Sequence, residues 1–299
     1  MEQLIRRLAG MEYSREEPLA KHTSFRIGGP AELMVFPRSP GELSAVLKAA
    51  QEEGVKPVIL GAGTNVLAPD EGLRGLVICT RDCLGGLRRR GNTVAVMAGV
   101  LMSRAAVYAR DKGLGGMEFA HGIPGTVGGG VYMNAGAYGG ELRQIAEKTR
   151  VMDLSGEIRE YIGEEQGFGY RTSAFQTIPC VIIETVFRLN PADPAEINAR
   201  MQELAAKRRA SQPLDLPSAG STFKRPVGGY AAALIQQAGL MGQGVGGAQV
   251  STKHAGFVVN AGGATAKDVL ATIELIQKCV YETSGIQLEP EVRILKSNR

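Results

Sequence analysis

Residues 122–140 read Gly122-Ile123-Pro124-Gly125-Thr126-Val127-Gly128-Gly129-Gly130-Val131-Tyr132-Met133-Asn134-Ala135-Gly136-Ala137-Tyr138-Gly139-Gly140. With residues 113–121 they hold eleven of the chain's forty glycines, interleaved with Phe119, Ile123, Val127, Val131, Tyr132, Met133 and Tyr138. A flexible linker of this glycine density is Gly/Ser-rich and carries no large apolar anchors. Here the anchors can pin the segment into a core, which makes it an ordered backbone surface. Lacking Cβ atoms, and with positive φ available at little cost, such a surface lets a ligand approach the main chain closely. A flat, polar or anionic ligand is expected to lie on it.

Around this segment, 299 residues at 44% hydrophobic are ample for a buried core, and about 150 residues per domain gives roughly two domains. A disordered or fibrous chain is excluded. The net charge of +4 comes from 34 basic and 30 acidic residues, with only short runs such as Arg88, Arg89 and Arg90. Nucleic acid is therefore not the favoured partner, whereas a small anionic ligand with phosphates or carboxylates suits arginines such as Arg171, Arg208, Arg209 and Arg225. Residues 1–10 carry Glu2, Arg6 and Arg7 without an apolar signal segment, and no stretch approaches eighteen apolar residues, so a cytoplasmic chain with no membrane partner is expected. Cys79, Cys83, Cys180 and Cys279 form no CxxC pair, and none of the three histidines is spaced with them as a metal site. No metal is expected, and the thiols read as reduced core residues.

Ser39, Pro40 and Glu42 supply an N-cap, a first helical residue and a capping-box partner, and Leu43, Val46, Leu47 and Ala50 then fall on one face before Gly54. Strands follow at 58–60, 76–79 and 94–97, and a helix over 102–112 delivers the chain into the glycine segment. Strand-like runs at 148–153 and 157–161 are joined by a Ser155-Gly156 turn, with another at 181–189. Asp193, Pro194 and Glu196 open a helix to about 209. Beyond Pro213 come a loop, a helix near 230–238, a strand at 257–260, a helix over 266–283 and a final strand at 291–295. The pattern is α+β, with a domain boundary near 205–215.

Gly61-Ala62-Gly63-Thr64-Asn65-Val66 follows the strand 58–60 like the opening of a dinucleotide fingerprint. The third glycine is missing, however, and Pro69 and Gly72 prevent the following helix, so a Rossmann site is disfavoured. No Lys followed by Ser or Thr sits in that loop, which excludes a P-loop there; a nest of backbone N–H groups with Thr64 and Asn65 remains, and it suits a pyrophosphate. Taken with Gly122, Ile123, Pro124, Gly125, Thr126, Gly128 and Gly129, and with Asn134, Ala135, Gly136 and Ala137, this loop resembles a flavin site. Further motifs keep the same family order: His22-Thr23-Ser24-Phe25-Arg26-Ile27-Gly28-Gly29, Phe168-Gly169-Tyr170-Arg171-x-Ser173-x-Phe175, Ala219-Gly220-Ser221-x-Phe223-Lys224 and Leu288-Glu289-Pro290-Glu291-Val292. Over nearly its whole length the chain resembles the UDP-N-acetylenolpyruvoylglucosamine reductase family, in the branch lacking a tyrosine-bearing loop insertion.

The resemblance implies an FAD-binding domain of the vanillyl-alcohol-oxidase-like (PCMH-type) superfamily in two subdomains, about 1–80 and 81–205. A C-terminal α+β substrate-binding domain, 206–299, follows, with the last strand at about 291–299 returning to the FAD region. It implies FAD as cofactor, NADPH as hydride donor and UDP-N-acetylglucosamine enolpyruvate as the small-molecule substrate in peptidoglycan precursor synthesis, with a monomer expected. The residues matching the family's catalytic positions are Arg171 for the substrate carboxylate, Ser221 as proton donor and Glu291 opposite. If 288–292 is extended, Glu289 shares a face with Glu291, and the choice of Glu291 rests on the resemblance. Tyr170, Lys224, Arg225, Gln249, Lys253, His254 and Asn260 are weaker candidates for contacting the nucleotide. The glycine loops alone also suit a different FAD oxidoreductase of the superfamily, or a nucleotide-binding module without catalysis.

Overall fold

The computed structural model describes residues 1–8, 10–81 and 84–297. Two sheets and a smaller C-terminal layer carry the structure. The first sheet has the strand order Tyr13–Pro18, Pro30–Val35, Leu73–Cys79, Val58–Leu60; the first pair is antiparallel and the others are parallel. The helix Pro40–Glu52 makes the crossover that the parallel strands require. Its cap is the expected one, since Ser39 Oγ accepts from the Glu42 amide at 3.1 Å. Leu43, Val46 and Leu47 on its inner face are fully buried, each contributing about 1.5–3 kcal/mol of burial.

The second sheet is antiparallel throughout, in the order Ile158–Ile162, Ala146–Asp153, Cys180–Arg188, Thr93–Met97, Leu87–Arg90. Its main core is shared with the glycine segment: Phe119, Val127 and Val131 are buried in it. Tyr138 departs from the expected set of anchors. It is exposed, in a left-handed conformation with φ +54°. The segment is also not all loop, because Val127–Tyr132 is a short helix whose N-cap, Thr126, accepts from the Gly129 amide. Gly130 fits there because a Cβ would stand 3.0 Å from Met102 Sδ.

Beyond the helix Pro194–Ser211 the chain builds a separate core, in which the helices Ala231–Gln237 and Ala266–Ser284 cover the strands Gly244–Val245, Ala248–Val250 and Val258–Asn260. Pro194–Ser211 runs unbroken through residue 205, so the change of core falls after it. Phe25, Ile27 and Leu67 join this second core from the N-terminal part. The long C-terminal helix is stopped at both ends by local chemistry: Thr265 and Asp268 form a reciprocal capping box, and Gly285 ends it at φ +70°. The final strand is shorter than expected, Arg293–Ile294, and pairs in parallel with Val66–Leu67. Cys79 is buried, Cys180 and Cys279 are half-buried, and Cys83 lies outside the described residues. Burial pushes the Cys180 thiol up to about 11, with Asp153 adding to the shift.

Candidate active site

A cavity of about 840 Å³ opens between the two sheets and the C-terminal layer, a size near the upper end for small-molecule sites. Fifteen of the seventeen expected cofactor residues stand on its wall: Gly61, Ala62, Gly63, Thr64, Asn65, Val66, Ile123, Pro124, Gly125, Thr126, Gly128, Gly129, Ala135, Gly136 and Ala137. The amides of Ala62, Gly63, Thr64 and Asn65 donate to no acceptor among the described residues. Four successive free N–H groups in one turn form a nest suited to an anion. Thr64 Oγ1 donates to Pro124 O at 3.1 Å and ties the two glycine loops together.

The glycines serve the fold as much as the cavity. A Cβ on Gly63 would stand 2.0 Å from His22 O, and one on Gly136 2.6 Å from Gly140 O, so backbone crosses backbone at both. Gly61 and Gly128 are similarly pressed by Thr126 Oγ1 and by Ala98. Gly129 is different, since a Cβ there would meet only Thr126 Oγ1, at an ordinary 3.5 Å. Close packing thus brings the loops together, and at Gly129 the missing side chain leaves cavity space.

Two of the expected residues are not on the wall. Asn134 is fully buried at φ +45°, and its amide is consumed internally. Its Nδ2 donates to Glu141 Oε2 and Gly169 O, and its Oδ1 accepts from the Arg143 amide. Gly122 lies behind the wall, under the side chain of Arg208.

Arg171, Ser221 and Glu291, 120 residues apart at the extremes of sequence, all face this cavity. Arg171 Nε donates to Glu291 Oε1 at 2.7 Å, and Nη2 reaches Gly136 O at 3.3 Å. The arginine backbone is left-handed, φ +55°, a strained choice for a non-glycine residue. Gln176 holds it there, because Nε2 donates to Arg171 O and Tyr132 O. Segments 222–224 and 289–291 pair through Glu291 N to Thr222 O and Lys224 N to Glu289 O, which sets Ser221 beside Glu291. Asn65 Nδ2 donates to Glu291 O at 3.3 Å, so the nest is joined directly to the carboxylate's backbone.

The carboxylates at 289 and 291 are not equivalent. Pro290 forms only an isolated bridge with Phe223, and the stretch is not a regular strand. The Glu291 side chain is 12% exposed and that of Glu289 69%. Burial pushes the Glu291 carboxyl above its ordinary range, and Arg171 and Lys224 pull it back down. Glu289 instead points to solvent and holds Lys224 in an ion pair.

The weaker candidates do not line the cavity. Asn260 Nδ2 donates to Phe25 O and its Oδ1 accepts the amides of Gly262 and Ala264. Gln249 donates to Gly242 O, Lys253 to Arg209 O, and His254 Nδ1 accepts the Gly256 amide while its ring packs on Phe257. These polar side chains satisfy their own neighbourhood. Tyr170 and Arg225 are tied to each other and to Arg171: the Tyr170 hydroxyl accepts the Arg225 amide, its ring lies 5.3 Å from the Arg171 guanidinium, and Arg225 stacks on Tyr230 at 4.0 Å, while Lys224 is paired with Glu289. Wall residues that the sequence patterns do not single out include Gln176, Gln212 and Arg293, and Arg208, named in the sequence only among arginines suited to an anionic ligand, stands there too.

Residues 212–295 match the sequence model described as UDP-N-acetylenolpyruvoylglucosamine reductase, C-terminal domain, and residues 31–161 match an FAD binding domain. A UDP-N-acetylenolpyruvoylglucosamine reductase of Geobacillus kaustophilus is 46% identical over 94% of this chain and 92% of its own length. The chain belongs to the UDP-N-acetylenolpyruvoylglucosamine reductase family. Another member, from Limosilactobacillus fermentum, is 43% identical over 99% of this chain and 98% of its own. The crystal structure of the family's enzyme from Thermus caldophilus superposes with a TM-score of 0.80 at 34% identity, covering 95% of this chain and 98% of that one. The family fold therefore extends through both cores and the cavity between them, with an FAD-binding domain at the N-terminal side.

Proposed function

We propose that this chain is an NADPH-dependent flavoenzyme reducing the enolpyruvyl ether of UDP-N-acetylglucosamine enolpyruvate to the lactyl ether of UDP-N-acetylmuramate. The setting is cytoplasmic peptidoglycan precursor synthesis, the region to about residue 211 holding FAD and the remainder contributing to substrate binding. The observation that carries the proposal is the convergence of Arg171, Ser221 and Glu291 on a cavity walled by both glycine loops. The cavity fits FAD in volume, in its free amides and in the open space at Gly129. Bound there, FAD supplies the two-electron chemistry that passes hydride from NADPH to the substrate alkene.

The residues of the chain handle the charge and the proton. Addition of hydride to the terminal alkene carbon leaves negative charge on the adjoining carbon and its carboxylate. Arg171 meets that charge: with Nε committed to Glu291, its remaining N–H groups can take a carboxylate in the planar geometry that guanidinium favours. Glu291 orients the fork, and burial raises its carboxyl above the ordinary range against the opposing pull of Arg171 and Lys224, which favours proton uptake there more than at an exposed carboxylate. Ser221 stands open to the cavity and delivers the hydroxyl proton to the carbanion carbon, drawing on neighbouring groups or water to offset its weak acidity.

The test is anaerobic. NADPH should bleach the visible flavin band of the reconstituted protein, and UDP-N-acetylglucosamine enolpyruvate should restore it with one lactyl product per flavin. Failure of that substrate to reoxidise the flavin would exclude the reductase activity.

A further inference from the structure

Most cations on the cavity wall are engaged or in open solvent. Arg171 is bound to Glu291, Arg293 donates to Gln176 Oε1 and stacks on Tyr132, and Lys56 and Lys296 are exposed. Arg208 is neither. It sits half-buried in the last turn of the helix Pro194–Ser211, and its guanidinium has no ion pair or hydrogen bond among the described residues. Burial pulls its pKa down, and only the Tyr138 hydroxyl acts in the other direction. Partial burial of a cation without a counter-charge carries a desolvation cost, which an anion bound in the cavity would offset.

We propose that Arg208 pairs with the pyrophosphate of FAD, closing on it together with the free amides of Ala62, Gly63, Thr64 and Asn65. Both groups rest on one strap. The stem of Arg208 lies on Gly122, where a Cβ would be 3.2 Å from its Cδ, and Thr64 is bonded to Pro124 two residues later. The pyrophosphate is the part of FAD with fixed negative charge at neutral pH, and a guanidinium meets phosphate oxygens with paired N–H groups. Gly122 thereby gains a reason: it seats the arginine rather than the cofactor.

The proposal rests on the flavoprotein function above, and its test separates the two. FAD is removed reversibly from the full-length chain, and affinities for FAD, ADP and riboflavin are measured for wild type, Arg208→Met and Arg208→Lys. Arg208→Met should bind FAD and ADP roughly ten- to a hundredfold more weakly, as expected for loss of a charge-assisted contact, with a flatter salt dependence and unchanged riboflavin affinity. Arg208→Lys should fall between. The Tm of the cofactor-free protein should not drop in Arg208→Met, since an unpaired cation is removed; a purely structural arginine would lower it. Unchanged FAD and ADP affinities would overturn the proposal, as would equal weakening of riboflavin, or a loss confined to NADPH or the enolpyruvyl nucleotide. If the wild type binds no FAD, the flavoprotein function fails first.

Discussion

Replacing Arg171 by Met isolates the energetics of the buried pair. Its Nε–Oε1 distance is 2.7 Å and the two side chains are 23% and 12% exposed. Removing one partner of a fully buried pair costs about 3–5 kcal/mol. The remaining access to water reduces this to about 2–3 kcal/mol here. The cost should depend on pH in a definite direction. Burial raises the Glu291 carboxyl above its ordinary value of 4.5, and Arg171 works against it; without Arg171 the carboxyl rises further. A raised carboxyl favours the protonated fold, so its stabilising contribution is complete below the ordinary value and is lost as pH rises through the raised one. Urea denaturation of wild type, Arg171→Met, Glu291→Gln and the double variant, at about pH 5 and about pH 8, should show a deficit for Arg171→Met that is larger at the higher pH. The double variant should recover about 1–2 kcal/mol relative to the sum of the singles. A deficit independent of pH, or additive behaviour, would refute the reasoning.

The glycine loops make a paired prediction. Gly63→Ala drives a Cβ to 2.0 Å from His22 O at φ +61°, adding a backbone clash to about 1–3 kcal/mol of strain, and should appear as a large fall in Tm of the cofactor-free protein. Gly129→Ala meets only a 3.5 Å contact; its cofactor-free Tm should hold or rise slightly, since Ala favours a helix, while FAD affinity measured by fluorescence titration falls roughly tenfold or more. A stable Gly63→Ala variant or undiminished FAD affinity in Gly129→Ala would contradict the division of roles. Asn134→Ala strands the Arg143 amide and Gly169 carbonyl and loses a residue suited to φ +45°. It should lower stability by about 2–4 kcal/mol in thermal unfolding, and a loss below 1 kcal/mol, roughly one hydrogen bond, would show that other groups replace its contacts.

Where signals are local, the sequence is readable. Ser39, Pro40 and Glu42 announce the helix Pro40–Glu52, and Thr265 with Asp268 sets the start of Ala266–Ser284. The strand Leu87–Arg90 is not legible, because three arginines at a sheet edge meet water and the strand is defined only by pairing with Thr93–Met97. Tyr13–Pro18 likewise depends on its partner Pro30–Val35. Within the site, the two glycine loops could be identified, but their division of labour could not: the carbonyls of His22 and Gly140 that exclude a Cβ from Gly63 and Gly136 meet them only in three dimensions. Polar residues such as Asn134 and Asn260 look the same in sequence whether they face a ligand or bind their own backbone. Arg208 carries no motif at all. Its meaning comes from half-burial without a partner, which a helical pattern does not reveal.

Ser221 is the most direct point of attack on the proposed chemistry, because the residue is open to the cavity and the proposal gives it a part in only one of the two half-reactions. In anaerobic stopped-flow experiments, Ser221→Ala should be reduced by NADPH at nearly the wild-type rate. Reoxidation by UDP-N-acetylglucosamine enolpyruvate should slow by roughly 10²–10⁴, the contribution of a positioned proton donor. Equal slowing of both half-reactions, or reoxidation at the wild-type rate, would contradict the assignment of Ser221 as the proton donor.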